Sequence, residues 1–179
     1  AVDSKDMAAL SSTQIAAFTS DQAAGFTAPE LNAMLSQVQY LQSDVISSLG
    51  SSAIASLTTK AIGYISASQV NALTSTQLAA LSSTQMAGFS TGNITALATD
   101  DIALISSTQI AGLSTAALNA LGTEKIAAIS SSSIAGLSTK QIVGLTIANA
   151  QALSSTQIAG LSSTQLSKLS ASALDSFST

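Results

Sequence analysis

The sequence predicts an all-α fold, a tight solenoid of short helices, and three observations lead to it. Large apolar residues recur with a period of eight along nearly the whole chain. Within each octapeptide unit the apolar positions, 5 and 8, are three residues apart, a spacing typical of one face of a short helix. Ser or Thr fills position 1 or 2 of most units, and these residues are preferred at helix N-termini.

The segment Leu153 to Leu169, LSSTQIAGLSSTQLSKL, contains two successive units. The position-8 residues run from Leu10 to Phe177, with one seven-residue unit that ends at Leu41. Four units precede this short unit and seventeen follow it, which makes 22 in all. Because chance would not keep a period over so many residues, we predict a repeat architecture.

The period also excludes simpler structures. In a continuous α-helix eight residues overshoot two turns by about 80°, so the apolar stripe would wind around the helix. In a plain strand, positions 5 and 8 would face opposite sides. Each unit must therefore contain its own turn. A β-solenoid, with short strands from position 8 to position 2, is the alternative, and far-UV circular dichroism distinguishes the two.

Two alignments of the helix start fit the unit. In the first, position 2 is the N-cap, Pro29 is the first helical residue, and Gly at position 7 adopts the left-handed conformation that ends many helices. In the second, position 1 is the N-cap, and Ser82 with Gln85 forms a capping box. We favour the first because of Pro29. The position-7 glycines are Gly25, Gly88, Gly112, Gly136, Gly144 and Gly160.

A single unit cannot be stable alone. Burial of one Ile and one Leu contributes about 3–6 kcal/mol, whereas ordering eight residues costs about 12 kcal/mol. Units must therefore stack as coils of two or three, and two per coil would give a rod of roughly 100 Å. We expect Ala at position 6, as in Ala79 and Ala111, to let neighbouring backbones approach closely.

Gln recurs at position 4, for example at Gln77 and Gln109, and two interpretations remain open. It is either a capping partner or exposed helix former, or a member of a ladder of amide hydrogen bonds between coils or subunits.

We predict one repeat solenoid over residues 1–179, with an irregular seam near residues 35–48. The sequence there is LSQVQYLQSDVISS, which includes the short unit. Its apolar residues Leu35, Val38 and Leu41 are spaced by three and could join adjacent units into one longer helix. We therefore expect a kink or a subdomain boundary in this segment.

Composition excludes several functions. Charged residues make up 8% of the chain, the formal net charge is −4, and the five basic residues are scattered lysines, so no nucleic-acid interface is expected. No apolar run approaches the roughly 18 residues of a membrane span. The chain has no His and no Cys, which removes Ser–His catalysis, thiolate chemistry and soft-metal sites.

The remaining polar residues do not predict a catalytic, cofactor or metal site, and we expect no enzyme activity. Asp100 and Asp101 form an acidic doublet, which we interpret as favourable charge at a helix N-terminus. Ser90 to Asn93 is a variant unit rather than a phosphate loop. The lysines available for a Ser–Lys pair are interpreted as solvated side chains: Lys60, Lys125, Lys140 and Lys168.

The LSSTQIAGL-type unit resembles the octapeptide arrays of large bacterial secreted or surface proteins, described as adhesin-like, calcium-binding or haem-utilisation proteins. The resemblance extends from Leu10 to Phe177 and implies an extracellular or cell-surface location, which the absence of Cys also favours. We do not expect haem binding, because His and Cys are absent and Tyr40 and Tyr64 are isolated.

Three functions follow as hypotheses. No divergent cap is visible in the sequence at either end, so the first is a structural protein that self-assembles head to tail into an extracellular filament or surface layer, with itself as partner. The second is a stalk or spacer of a large adhesin. The third is a binding protein with a regular hydroxyl surface, such as an ice-binding protein, although Asp21, Lys60, Asp100, Glu124 and Lys140 interrupt the position-3 row.

Overall fold

The computed structural model describes residues 3–169, which form twenty short α-helices and one 3-10 helix. No strand occurs within this range. The all-α prediction is therefore confirmed, and the β-solenoid alternative is wrong. The predicted core residues Leu174 and Phe177 lie outside the described residues.

The helices follow one another with only short connections. In chain order they are α1 (Ser4–Ala9), α2 (Ser12–Ala16), α3 (Ser20–Ala23), α4 (Ala28–Met34), the 3-10 helix (Leu35–Tyr40), α5 (Ser43–Ser48), α6 (Ser51–Ala55), α7 (Thr59–Ile62), α8 (Ala67–Asn71), α9 (Ser75–Ala79), α10 (Ser83–Met86), α11 (Thr91–Ala96), α12 (Thr99–Leu104), α13 (Ser107–Gly112), α14 (Thr115–Ala120), α15 (Gly122–Ala128), α16 (Ser131–Ile134), α17 (Thr139–Val143), α18 (Ile147–Gln151), α19 (Ser155–Ala159) and α20 (Ser163–Leu166).

Each helix packs against the third element after it, as α10 does against α13 and α13 against α16. Three units therefore make one coil, and equivalent residues of successive coils are 24 positions apart, except across the short unit. The 21 elements form seven coils, which stack into a rod of about 60–70 Å at the usual helix spacing. Of the two predicted coil sizes, three units is correct, and the rod is shorter than the two-unit estimate.

The side chains at positions 5 and 8 point into one continuous core along the rod. In the middle of the chain Met86, Ile94, Ile102 and Ile110 represent position 5, and each is at most 1% exposed. The core is aliphatic with few aromatic side chains, as the composition predicts. A position-5 residue is buried in every coil, so each coil depends on its neighbours to exclude water from its apolar edge.

The helices begin one residue earlier than the favoured alignment predicted. Position 1 is the N-cap, as Ser82 shows: the Gln85 backbone N–H donates to the Ser82 hydroxyl (3.2 Å), and the Ser82 N–H donates to Gln85 Oε1 (3.0 Å). Pro29 is the second helical residue, after the N-cap Thr27. A Gln at position 4 can close this reciprocal pair only with a cap three residues before it, which decides between the alignments.

The glycines at position 7 do not end helices in the left-handed conformation, so that prediction is wrong. Among the described glycines only Gly122 has a positive φ, of 72°. Gly144 and Gly160 are helix C-caps with φ of −84° and −77°. Their lack of a side chain has another reason, the close approach of adjacent coils described below.

The segment 35–48 is irregular, but it is not one longer helix. α4 ends at Met34, and Leu35, the first residue of the 3-10 helix, adopts φ 46° and ψ −115°. Gln42 is extended and separates the 3-10 helix from α5. A 3-10 helix has fewer residues per turn than an α-helix. The seven-residue unit can therefore supply one of the three helices of its coil with one residue fewer. A subdomain boundary here remains a prediction.

Candidate functional site

The most distinctive feature of the structure is a row of buried amides that connects the coils, which we call the amide ladder. Gln109 illustrates it: Oε1 accepts the Ser106 N–H (2.9 Å), and Nε2 donates to the carbonyls of Leu78 (2.7 Å) and Leu81 (2.9 Å). The two carbonyls belong to the preceding coil. The members of the ladder with this pattern are Gln69, Gln77, Gln85, Gln109, Gln141, Gln157 and Gln165.

The amide ladder explains how polar side chains occupy the interior. Gln109 is 3% exposed, and a buried amide is tolerated only when its donor and acceptor groups are paired. The same side chain caps its own helix and holds the coil before it. Both the capping interpretation and the ladder interpretation are therefore confirmed, while the exposed position expected for Gln109 is wrong.

Other donor side chains at position 4 make a similar connection. Asn93 Nδ2 donates to one carbonyl, that of Ile65 (2.7 Å), and Asn93 Oδ1 accepts the Ser90 N–H. Ser133 donates its hydroxyl to the carbonyl of Ile105 (2.6 Å). The Lys125 ammonium donates to the Thr95 carbonyl. Position 4 is thus the connecting position along most of the chain, whichever donor it carries.

In one unit without a donor at position 4, an Asn at position 6 of the preceding coil makes the connection. The unit 58–65 has Ala61 at position 4. Asn32 Nδ2 donates to the Ser56 carbonyl (2.8 Å), and Asn32 Oδ1 accepts the Thr58 N–H (2.9 Å). The sequence analysis did not predict these two hydrogen bonds of Asn32. The signal was an Asn at position 6 in the coil before a unit that has no Gln at position 4.

Asn119 repeats the arrangement later in the chain. Its Nδ2 donates to the Gly144 carbonyl (2.7 Å), and its Oδ1 accepts the Thr146 N–H (3.0 Å). Two occurrences at equivalent positions show that the connection between coils can come from either side of the junction.

The first described coil carries amides that the amide ladder does not use. Gln14 and Gln22 cap their own helices, accepting from Ser11 N–H (2.8 Å) and Thr19 N–H (2.9 Å). Both side chains are exposed, and their Nε2 groups donate to no acceptor within residues 3–169. In the last described coil, the corresponding acceptors are the position-8 carbonyls, as at Leu161.

Adjacent coils approach most closely at position 7. A Cβ on Gly112 would lie 2.0 Å from the Ser83 carbonyl oxygen, and one on Gly136 would lie 2.1 Å from that of Ser107. Glycine is required there because backbone occupies the space of any side chain. Position 6 does not have this role: Ala111 is exposed, so the expected function of these alanines is wrong.

One side of the rod presents hydroxyls without any charge, and we call it the hydroxyl face. It consists of the stacked units 82–89, 106–113, 130–137 and 154–161. No Asp, Glu, Lys or Arg occurs in these units. Their position-3 hydroxyls are exposed: Thr84, Thr108, Ser132 and Thr156. A shallow, open depression of about 680 Å³ on this face is lined by Ser83, Thr84, Ala87, Ser107, Thr108, Ala111, Gly112 and Gly136.

Because three units make one coil, the charged residues that interrupt the position-3 row lie on different sides of the rod. Asp100 and Glu124 belong to one neighbouring side of the rod, and Lys140 belongs to the other. Only Lys60 lies in line with the hydroxyl face, one coil before it begins. The row of hydroxyls therefore continues over four coils, which the linear sequence does not reveal.

The residues considered for catalysis or metal binding are not brought together. Asp100 and Asp101 lie in the first turn of α12, as expected. Within residues 3–169 no group of three or more His, Cys, Asp or Glu is placed to hold a metal ion. In the same part of the chain, no helix has the length and apolar character needed to cross a membrane. Tyr40 and Tyr64 are both exposed.

Comparison with known proteins agrees with the repeat architecture. Residues 94–131 match a family model described as the ALTTAQ repeat. The comparison with curated proteins gave no match. The matched segment covers units with the same period as the rest of the chain, and the chain is a repeat protein.

Proposed function

We propose that this chain is a structural protein, a solenoid whose copies stack end to end into an extracellular filament or surface-layer element. One observation carries the proposal. The amide ladder joins each coil to the one before it, and Gln14 and Gln22 offer the same donors, unpaired among the described residues, on the first coil.

The repeat makes such stacking physically favourable. The coil boundaries that carry the amide ladder are similar surfaces, in which apolar side chains of positions 5 and 8 are surrounded by amide donors and carbonyl acceptors. A surface of this kind is complementary to the opposite end of another copy. Contacts between two different ends are heterologous, and they produce filaments when the rotation does not close a ring. In this role the chain would need no catalytic residue.

Negative-stain electron microscopy and sedimentation of the purified chain test the proposal. We expect unbranched filaments with the width of one solenoid, whose amount rises with protein concentration. Monodisperse monomers at high concentration would contradict it. Fractionation of cells that produce the protein tests the extracellular location, and recovery from the cytoplasm alone would contradict that part.

A stalk within an adhesin would use the same ladder inside a longer chain. Such a stalk predicts a gene product with many more units, flanked by binding domains, and no assembly of the isolated segment.

The hydroxyl face favours a second candidate, binding to a regular surface such as ice. Its exposed position-3 hydroxyls repeat once per coil without interruption from Thr84 to Thr156. The decisive measurement is thermal hysteresis. We expect activity that falls when Thr108→Lys places a charge at the middle of the face, and Thr76→Lys, on another side of the rod, is the control. Absence of hysteresis in the parent protein would exclude this candidate.

A further inference from the structure

Two exposed tyrosines lie in successive coils on the side of the rod that carries the hydroxyl face. Tyr40 and Tyr64 occupy position 7 of units 35–41 and 58–65, and the helices of these two units pack against each other. Tyr40 is 44% exposed and Tyr64 is 37% exposed. We call these two residues the tyrosine pair. Large side chains of this kind that are grouped on a surface indicate contact with another molecule.

Glycine replaces tyrosine at the same position of the following coils. Position 7 of the units that form the hydroxyl face is occupied by Gly88, Gly112, Gly136 and Gly160. The depression of about 680 Å³ lies here, and Gly112 and Gly136 are part of its lining. One side of the rod therefore carries exposed rings in two coils and a depression in the coils that follow. Both features have the spacing of the coils, because each repeats once per coil.

We propose that two copies of this chain pair side by side and antiparallel through this side of the rod. The tyrosine pair of each copy lies in the depression of the other. Tyr64 contacts Gly112 of the second copy, and Tyr40 contacts Gly136. Gly88 then lies at the twofold axis. The pairing goes beyond the proposed filament and does not depend on it, since it uses the side of the rod and neither of its ends.

The order of the two features along the rod decides the direction of the pairing. The tyrosine pair comes before the glycines, so an antiparallel copy places rings on glycines twice about one twofold axis. A parallel copy would have to shift by three coils, and one of the two tyrosine pairs would then meet no depression. Tyr64 and Gly112 are each one coil away from Gly88. Tyr40 and Gly136 are each two coils away from it, which gives the register.

The distribution of charge favours the same direction. Residues 3–44 contain five carboxylates and one lysine, a net charge of −4. Residues 125–169 contain three lysines and no Asp or Glu, a net charge of +3. An antiparallel copy brings each acidic segment beside a basic one, whereas a parallel copy in register would bring like charges together.

The contact side itself carries almost no charge. Lys60 is the only charged residue in the seven described units of this side. In the proposed register the Lys60 side chains of the two copies lie two coils apart, so they do not repel each other at close range. Two copies of this side can therefore meet without burying like charges.

Burial of the tyrosine pair supplies the affinity. Tyr is common among the residues that dominate binding, because it buries a large surface with little loss of conformational freedom. The exposed hydroxyls of Thr84 and Thr108 line the same depression and are available for hydrogen bonds across the contact. The twofold axis uses every contact twice. We expect a reversible dimer whose population rises with protein concentration.

Single cysteines test the register, because the chain has none of its own. Ala87 is exposed, lines the depression and precedes Gly88, so its two copies lie near the twofold axis. We expect Ala87→Cys to form disulfide-linked dimers on mild oxidation. Ala111→Cys is the matched control, at the same position one coil further along. Its copies lie two coils apart, farther than the roughly 7 Å between Cα atoms that a disulfide spans, and we expect about tenfold less cross-linking.

Sedimentation equilibrium measures the affinity of the dimer. Tyr64→Ser removes one ring from each copy, and we expect the dissociation constant to rise about tenfold or more. Leu104→Ser is the control, because Leu104 is 55% exposed at position 7 of its unit but lies on another side of the rod. It should leave the dissociation constant unchanged. Circular dichroism verifies that both variants keep the helical content of the parent, and equal dissociation constants would overturn the role of the tyrosine pair.

The outcomes separate the pairing from the filament. If dimers form without filaments, the pairing stands and the filament is wrong. If filaments form but Ala87→Cys cross-links no better than Ala111→Cys, the pairing is wrong and the filament stands. If both hold, filaments of single width join in pairs as the concentration rises.

Other occupants of this side give different results. A parent chain that stays monomeric at all concentrations overturns the pairing. A monomer that co-sediments with cellulose powder, and loses this property in Tyr64→Ser, would assign the side to a glycan instead. Thermal hysteresis that persists in the disulfide-linked Ala87→Cys dimer would also contradict the pairing, since the pairing covers the hydroxyl face.

Discussion

Coil 66–89 and coil 42–65 stack on their neighbours with different side chains. In coil 66–89 all three units carry the ladder amide, at Gln69, Gln77 and Gln85, and all three amides are buried. In coil 42–65 position 4 is occupied by apolar Val and Ala residues. Its connections come instead from Asn32 in the coil before and from the Ser48 hydroxyl, which donates to the Ser20 carbonyl (3.2 Å). The comparison shows that the donor at a coil junction can come from either side.

The irregular region also carries local costs that the regular coils lack. Leu35 is the one described residue other than glycine with a positive φ, of 46°, and such conformations cost about 1–3 kcal/mol. The side-chain oxygen of Gln37 is buried without a hydrogen-bond partner. We therefore expect substitutions in the two regions to differ in sign as well as in size.

The largest effect is expected where the ladder is complete. Gln85→Ala removes four hydrogen bonds, those from the Ser82 N–H and hydroxyl and those to the carbonyls of Ile54 and Leu57. The free energy of unfolding should fall by about 3 kcal/mol, measured by urea denaturation and circular dichroism. Gln14→Ala loses only its cap and should cost about 1 kcal/mol. Equal losses would mean that the ladder bonds add nothing to stability.

Two glycines, Gly112 at position 7 of its unit and Gly63 at position 6, allow a comparison between the two kinds of coil. Gly112→Ala forces a Cβ against the Ser83 carbonyl at 2.0 Å and should lower stability by about 2 kcal/mol. Gly63→Ala meets its nearest neighbour at 3.4 Å and should raise stability by about 0.5 kcal/mol, because it reduces the entropy of the unfolded chain. Thermal unfolding of both variants measures this difference, and a loss at Gly63 as large as that at Gly112 would refute it.

The two sources of the junction donor can be exchanged. Asn32→Ala removes two hydrogen bonds between coils and should cost about 1.5 kcal/mol. Ala61→Gln should recover part of this loss in the Asn32→Ala background, since it supplies a ladder amide at the same junction. In the parent protein the same substitution should not stabilise. A double-mutant cycle measures the coupling, and simple additivity would show that the two devices are independent.

A smaller gain is expected from relieving the backbone of the irregular region. Leu35→Gly should stabilise the protein by about 1 kcal/mol, because glycine adopts positive φ without steric conflict. Leu104→Gly changes a similarly exposed Leu within a regular helix and should destabilise it by about 1 kcal/mol. If both variants lose stability, the conformation of Leu35 carries no strain.

The smallest effect is a dependence on pH at the start of the irregular region. Hydrogen bonds from the Thr27 hydroxyl and then the Thr27 backbone N–H lower the pKa of Glu30 below its ordinary value. Its contribution to stability is therefore present above the pKa of Glu in the unfolded chain and is lost as the pH falls through the folded value. Glu30→Gln should make the melting temperature less sensitive to acid between about pH 5 and pH 3, the range in which carboxyl groups usually titrate. An identical acid profile in both proteins would exclude this contribution.

Much of the fold could be predicted from the sequence because it depends on local patterns. The spacing of Ile110 and Leu113 identifies one helix face, and Ser106 with Gln109 forms a local capping box within one unit. The start of the helix was misplaced by one residue because Pro29 fits the first and the second helical position equally well.

The sequence by itself determined the repeat, the helical class, the core positions and the short unit, since each is read from residues within one octapeptide. Tertiary structure alone decided that three units make a coil, because the angle between successive helices does not follow from the period. As a result of that angle, Gln109 is buried against the carbonyls of Leu78 and Leu81, and Gly112 lies on Ser83. The charged residues lie outside the hydroxyl face for the same reason. These contacts join residues that are far apart in the chain, so only the stacked coils show them.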